Sequence, residues 1–189
     1  AAYRQAIEAD PQNPWTRFAL ARIYLRDGQI RNARALLDGL LKSQPSQPDA
    51  LYTSTLLSVE LGEWKAAEDT LSRIPAGQRS PDMNELANDI ALHKQTDIAI
   101  ETARRGQRPE ALALLGRSAT LAGKKPERLA VLASAYVDVG APEEGLQIMQ
   151  GVLDKTPNPT PEQKLLYASV LLKANHYTEA GDILRDMQG

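Results

Sequence analysis

"NPWTRFALARIYLRDGQIRNARALLDGLLKSQP", residues Asn13 to Pro45, reads as two helices joined by a tight turn. Asn13 can cap a helix, and Pro14 holds the first helical position, where a missing N–H costs nothing. Apolar residues follow at helical spacing at Leu20, Ala21, Ile23 and Tyr24. The segment "RDGQ" closes this helix, with Gly28 suited to the left-handed residue past a C-terminus. The second helix carries Ala33, Leu36, Leu37, Leu40 and Leu41 on one face, and Pro45 stops it.

The pattern recurs along the chain. Gly28, Gly62, Gly106, Gly140 and Asn175 stand at intervals of 34, 44, 34 and 35 residues. A small residue follows each by five positions: Ala33, Ala67, Ala111, Gly145 and Ala180. A large apolar residue comes four further on, at Leu37, Leu71, Leu115, Met149 and Leu184. Three markers sharing one irregular spacing make chance a poor explanation. Pro48, Pro126 and Pro161 open later first helices, Pro109 and Pro142 open second ones, and Thr160-Pro161-Glu162-Gln163 has the form of a capping box.

A 34-residue helix–turn–helix unit with small residues at the helix crossings resembles the tetratricopeptide-repeat family. The small residue late in the first helix stands at Ala21, Thr55, Ala99, Ala133 and Ala168. The family's tyrosine three positions on is kept at Tyr24 and Tyr136, and its terminal proline at Pro11, Pro45 and Pro157. Its tryptophan position holds Arg17, Leu51, Gln95, Leu129 and Lys164 instead. The resemblance implies an all-α, right-handed superhelical solenoid of antiparallel helix pairs over residues 1–189. Its repeats span 14–47, 48–81, 82–125, 126–159 and 160–189, after a partial unit at 1–13 with Tyr3, Ala6 and Pro11 in register. The opening "AAYRQAIEADP" reads as the middle of a helix, and the last helix has an unmatched side, so further repeats are expected to flank the chain.

The 44-residue interval exceeds the repeat by ten residues, too few for another helical hairpin but enough for nearly three turns. Pro75 is expected to end a second helix early. Ser80-Pro81 then caps and opens a new one, with Asp82 and Glu85 in its first turn and Met83, Leu86 and Ile90 on one face. Neither Gly nor Pro occurs from Asp82 to Arg105, which predicts one helix over about 81–105. Its apolar phase slips near "HKQTD", leaving room for a kink. The extension either repacks the joint between two blocks of repeats or projects toward a partner. A bend or hinge near 75–95 is compatible with both.

Composition narrows the chemistry. The 189 residues carry a net charge of −2, which offers no basic field to hold a nucleic-acid backbone. There is no cysteine, so thiolate nucleophiles and zinc–thiolate sites are excluded. No apolar run approaches the ~20 residues that span a bilayer. His93 and His176 fall in different repeats without metal-site spacing, and pairs such as Glu68-Asp69 and Glu143-Glu144 read as solvated helix faces. Glycines come one per turn rather than in a phosphate loop. Nothing points to an enzyme, a cofactor or a metal. Charge is banded: residues 102–128 hold seven basic side chains against two acidic ones, including Arg104, Arg105 and Arg108. This band is either a solvated surface or a patch for an acidic partner.

The resemblance implies partner contacts from fixed positions on the first helices. In the first unit these are Trp15, Phe18, Arg22, Leu25 and Arg26; in the second they are Asp49, Tyr52, Leu56, Val59 and Glu60. Members that grip a peptide carboxylate use Lys and Asn where this chain has Phe18, Tyr52, Arg22 and Leu56, so that clamp is missing. Trp15, Phe18 and Tyr52 either stack on a sugar or an apolar peptide, or pack against the neighbouring helix.

The run "LSRIPAGQRSPDMNELANDIALHKQTDIAIETARRGQRPEALALL" is similar to the periplasmic repeat region of the bacterial cellulose-export outer-membrane proteins, the C component of cellulose synthase. The likeness lies in the short second helix ended by Ile-Pro, the long "MNELAND" helix and the "ARRGQ" turn. That family joins many such repeats to a C-terminal outer-membrane β-barrel. The resemblance implies a periplasmic, non-catalytic scaffold between an inner-membrane synthase and an outer-membrane pore. Its implied partners are other components of a cellulose synthase complex, with no membrane contact from this segment; an alternative is a guide that binds the β-glucan chain directly along its concave groove. Exporters of alginate and poly-N-acetylglucosamine use similar repeats. A generic peptide-binding adaptor is the remaining alternative.

Overall fold

The computed structural model describes residues 10–187, and the expectations for Tyr3 and Ala6 lie outside them. The described residues form ten α-helices and one 3₁₀ turn. They are α1 (Pro14–Arg26), α2 (Ile30–Ser43), α3 (Pro48–Glu60), α4 (Trp64–Leu71), α5 (Pro81–Arg104), α6 (Arg108–Ala122), α7 (Pro126–Asp138), α8 (Pro142–Asp154), α9 (Pro161–Lys173) and α10 (Tyr177–Asp186), with the 3₁₀ turn at Ala76–Gln78. The chain divides into two compact units at Ile90/Ala91, inside α5.

One hydrogen bond repeats in all five intra-repeat turns. The N–H donors of Gln29, Glu63, Gln107, Ala141 and His176 each reach the carbonyl five residues back, on Tyr24, Ser58, Thr102, Tyr136 and Leu171. This closure forces the residue before each donor into the left-handed region. Four of these are glycines, and Asn175 is the exception at φ 66°, a conformation its short polar side chain tolerates best among non-glycine residues. Helix starts follow the sequence equally closely. The Asn13 side chain accepts from Thr16 N–H at 3.0 Å, Ser80 Oγ from Met83 N–H at 3.2 Å, and Thr160 with Gln163 forms the full capping box.

Helices of 8 to 15 residues are marginal alone, so packing holds them. The first unit has two clusters. Ala21, Ala33, Leu37, Leu40, Ala50 and Leu57 make one, and Leu51, Ala67, Leu71, Ile74, Met83 and Ile90 the other. In the second unit, one cluster joins Leu92 and Ala99 to Ala111, Leu115, Leu132 and Ala135, and another joins Ala133, Met149, Val170, Leu171 and Ala180. Each fully buried leucine contributes roughly 1.5–3 kcal/mol. Small residues set how closely paired helices cross. Ala33, Ala67, Ala111 and Ala180 are fully buried, and at Gly145 a methyl group would lie 2.5 Å from the Ala133 carbonyl oxygen.

Three departures from the repeat pattern have local explanations. At the family's tryptophan position, Arg17 donates to the carbonyls of Pro11 (2.6 Å) and Leu36 (2.9 Å), tying α1 to α2. The equivalent Lys164 pairs with Asp186 and ties α9 to α10. Thr55, in place of the small alanine, is buried but returns its hydroxyl to Leu51 O at 2.9 Å.

The lengthened helix runs unbroken from Pro81 to Arg104. Its phase slip reflects a change of buried face: Met83 and Ile90 pack in the first unit, Leu92 and Ala99 in the second. The two residues from Ile90 to Leu92 turn the helix by about 200°. The helix before it is shorter than Pro75 alone predicts, ending at Leu71. Arg79 bends back to take the Ile74 carbonyl at 2.9 Å and the Leu71 carbonyl at 3.3 Å, closing the turn that follows.

Candidate functional site

Of the positions expected to meet a partner, Trp15, Phe18, Arg22, Tyr52 and Glu60 come together on α1 and α3. Trp15 stands edge-to-face with Phe18 (6.5 Å between centroids, 79°) and with Tyr52 (5.8 Å, 78°). Its indole remains 46% exposed, whereas Phe18 and Tyr52 are half-buried. Arg22 lies 6.0 Å over the Phe18 ring and pairs with Glu60 at 2.8 Å. Burial pushes the Tyr52 hydroxyl above its ordinary range, and the nearby Asp82 carboxylate adds to that. Arg26 sits at the rim, 3.7 Å from Asp27. Phe18 and Tyr52 thus both pack against Trp15, which stays partly exposed.

Moving the same register into the second unit leads to a different surface. The counterparts of Trp15, Phe18, Arg22 and Arg26 are His93, Thr96, Ile100 and Arg104 on α5, then Glu127, Ala130, Ser134 and Asp138 on α7. A groove of about 350 Å³ opens along these helices and α9. Its walls include His93, Thr96, Asp97, Ile100, Glu127, Ser134, Ser169 and Lys173, over a floor of Ala130, Val131 and Ala135. Lys173 crosses to Asp138 at 2.6 Å. The Thr96 hydroxyl is turned inward on its own helix, to His93 O at 2.9 Å.

The absence of metal-site spacing around His93 gives no hint of this groove. The usable signal was the register itself, since His93 lies one regular and one lengthened interval beyond Trp15.

Three arginines of the basic band have partners within the chain. Arg104 and Arg105 both turn to Glu101, at 4.0 and 3.1 Å. Arg108 donates to Val139 O (3.1 Å) and Gly140 O (2.6 Å), capping the end of α7 one repeat away. Among the described residues no group of three or more His, Asp or Glu converges as a metal site. None of their helices is long and apolar enough to cross a membrane.

Residues 1–56 and 28–90 match the tetratricopeptide-repeat model. Residues 1–90 thus carry tetratricopeptide repeats. Solved repeat proteins of low identity share the fold: one from Parabacteroides merdae at TM-score 0.64 and 18% identity, covering 98% of this chain and 68% of that one. PilW, a type IV pilus biogenesis factor, superposes at 0.59 and 19% identity, with 98% and 81% covered.

By sequence, the repeats are 77% identical over all 189 residues to a cellulose synthase operon protein C of Pseudomonas fluorescens, of which they span 15%. They are 38% identical over 186 residues to a protein of the same name from Xanthomonas axonopodis pv. citri, of which they span 12%. The chain is therefore similar throughout to one stretch of much longer proteins associated with cellulose synthesis.

Proposed function

We propose that these repeats form a non-catalytic periplasmic scaffold in a bacterial cellulose synthesis and export machine, docking other components between the synthase and an outer-membrane pore. The observation that carries this is the 77% identity over all 189 residues to a cellulose synthase operon protein C. The second-unit groove supports a protein-docking role. Its floor of small side chains leaves room for a polypeptide backbone, and Asp97 and Glu127 on its walls supply acidic groups for a basic partner. The domain reading, five repeats with a joint near 75–95, belongs to the same proposal. The division into two units at Ile90/Ala91 supports it.

The test exchanges this segment for its counterpart in the Pseudomonas fluorescens relative. Secretion of cellulose should persist, and the protein should fractionate with the periplasm and outer membrane. Deleting the segment, or reversing Glu127 and Asp97 to lysine, should reduce secretion without reducing the amount of protein. Normal secretion from the deletion would sink the proposal.

A further inference from the structure

We infer that the aromatic face of α1 and α3 is a polysaccharide-binding platform that takes a β-linked glucan chain directly. The inference rests on the cellulose reading only for the identity of the polymer; the geometry stands apart from it.

A buried aromatic cluster needs no exposed member, yet Trp15 keeps 46% of its surface in solvent. The rings of Phe18 and Tyr52, both near-perpendicular to it with centroids at 6.5 and 5.8 Å, fix its orientation. A ligand would therefore meet a preorganised indole and lose little side-chain freedom on binding. The same two helices carry charged groups: Arg22 lies 6.0 Å over the Phe18 ring and pairs with Glu60 at 2.8 Å, and Asp49 is on the helix of Tyr52.

That combination selects the ligand class. A β-linked glucopyranose has an apolar C–H face and a rim of equatorial hydroxyls. The face can lie on the indole while the hydroxyls meet the guanidinium donors and carboxylate acceptors. An apolar peptide would have to desolvate the Arg22–Glu60 pair without offering it partners, which is costly. The second unit has His93, Thr96, Glu127 and Ala130 in the equivalent places and presents no such ring, so the platform is confined to the first.

The experiment follows the two indole N–H resonances of the 189-residue chain, Trp15 and Trp64, during titration with cellohexaose, with maltohexaose as the control. Saturable movement of the Trp15 signal at millimolar cellohexaose is expected, with Trp64 unmoved and maltohexaose at least about fivefold weaker. Trp15→Ala, read by calorimetry, and Arg22→Ala, read at the Trp15 signal, should each weaken binding about tenfold, the second without disturbing the ring cluster. No movement at millimolar cellohexaose, equal response to maltohexaose, or unchanged affinity in folded Trp15→Ala and Arg22→Ala overturns the inference. A chain that still supports cellulose secretion but fails this titration loses the platform and keeps the scaffold.

Discussion

The two units place equivalent helices in equivalent registers and arrive at opposite surfaces. In the first, α1 and α3 bring the rings of Phe18 and Tyr52 against Trp15. In the second, Thr96 and Ala130 stand where Phe18 and Tyr52 do, and the space stays open as a groove. An ion pair crosses each face, Arg22–Glu60 in the first and Lys173–Asp138 in the second. The repeat backbone therefore fixes where a surface will be, and side-chain volume decides whether it becomes a platform or a trough.

The strongest way to break this contrast is through the helix crossing beneath the groove. Gly145→Ala places a methyl group 2.5 Å from the Ala133 carbonyl oxygen, a backbone atom that moves only if α7 moves. Overpacking of this kind outweighs the ~1 kcal/mol that alanine gains over glycine inside a helix, for a net loss of about 2 kcal/mol. Urea unfolding should show the second unit melting early while Trp15 emission, recorded in a Trp64→Phe background, keeps its midpoint. A loss shared equally by both units would mean that they do not behave as separate packing bodies.

A smaller effect is expected from Arg108→Ala. This guanidinium takes two carbonyls, of Val139 and Gly140, directly after the residue that pairs with Lys173. Removing it should cost about 1 kcal/mol, the usual net worth of such bonds at an exposed site, and loosen the second unit alone. Arg104→Ala and Arg105→Ala only release Glu101 on the helix surface and should change thermal stability within error. If all three behave alike, Arg108 is a surface charge and its capping bonds carry no weight.

These arginines also show what a sequence can and cannot disclose. Helix starts and turns were legible because their causes are local: Asn13, Ser80 and Thr160 cap within three residues, and the positive-φ residue follows each first helix at fixed spacing. The long α5 was legible for the same reason, since nothing from Asp82 to Arg105 stops a helix. The contact among the three rings was foreseeable from register plus residue type. The groove was not, because Ala130, Ser134 and Ala135 are conspicuous only by their smallness and matter only when three helices stand side by side. Nor could spacing tell that Arg79 would cap Leu71 and Ile74, or that Arg108 would reach a turn some 31 residues away.

The two crossing ion pairs offer a finer comparison. Lys173 and Asp138 are 38% and 33% exposed, against 63% and 34% for Arg22 and Glu60. Both sit where coupling is below about 1 kcal/mol, but the drier pair should lie nearer that limit and respond less to salt. Double-mutant cycles to alanine, run at low and high ionic strength, measure this directly. A larger coupling for Arg22–Glu60 would show that its stacking on Phe18 preorganises the guanidinium more than exposure weakens it.

The smallest effect separates burial from charge at the tyrosines. Burial raises the ionisation of Tyr52 in the first unit and of Tyr136 and Tyr167 in the second, and each has a carboxylate adding to the shift. For these groups the folded chain holds the phenolic proton more tightly than the unfolded one. Their contribution to stability is therefore complete below the ordinary tyrosine range near about 10 and is lost as pH rises through the folded values. Tyrosinate absorbance should place the three above the ordinary range. Because desolvation is the larger cause at Tyr52, Asp82→Asn should lower its midpoint only part of the way back. Full return would make the carboxylate, not the packing of the ring against Trp15, the controlling influence, and would mean that the ring at Tyr52 is wetter than a tightly packed platform allows.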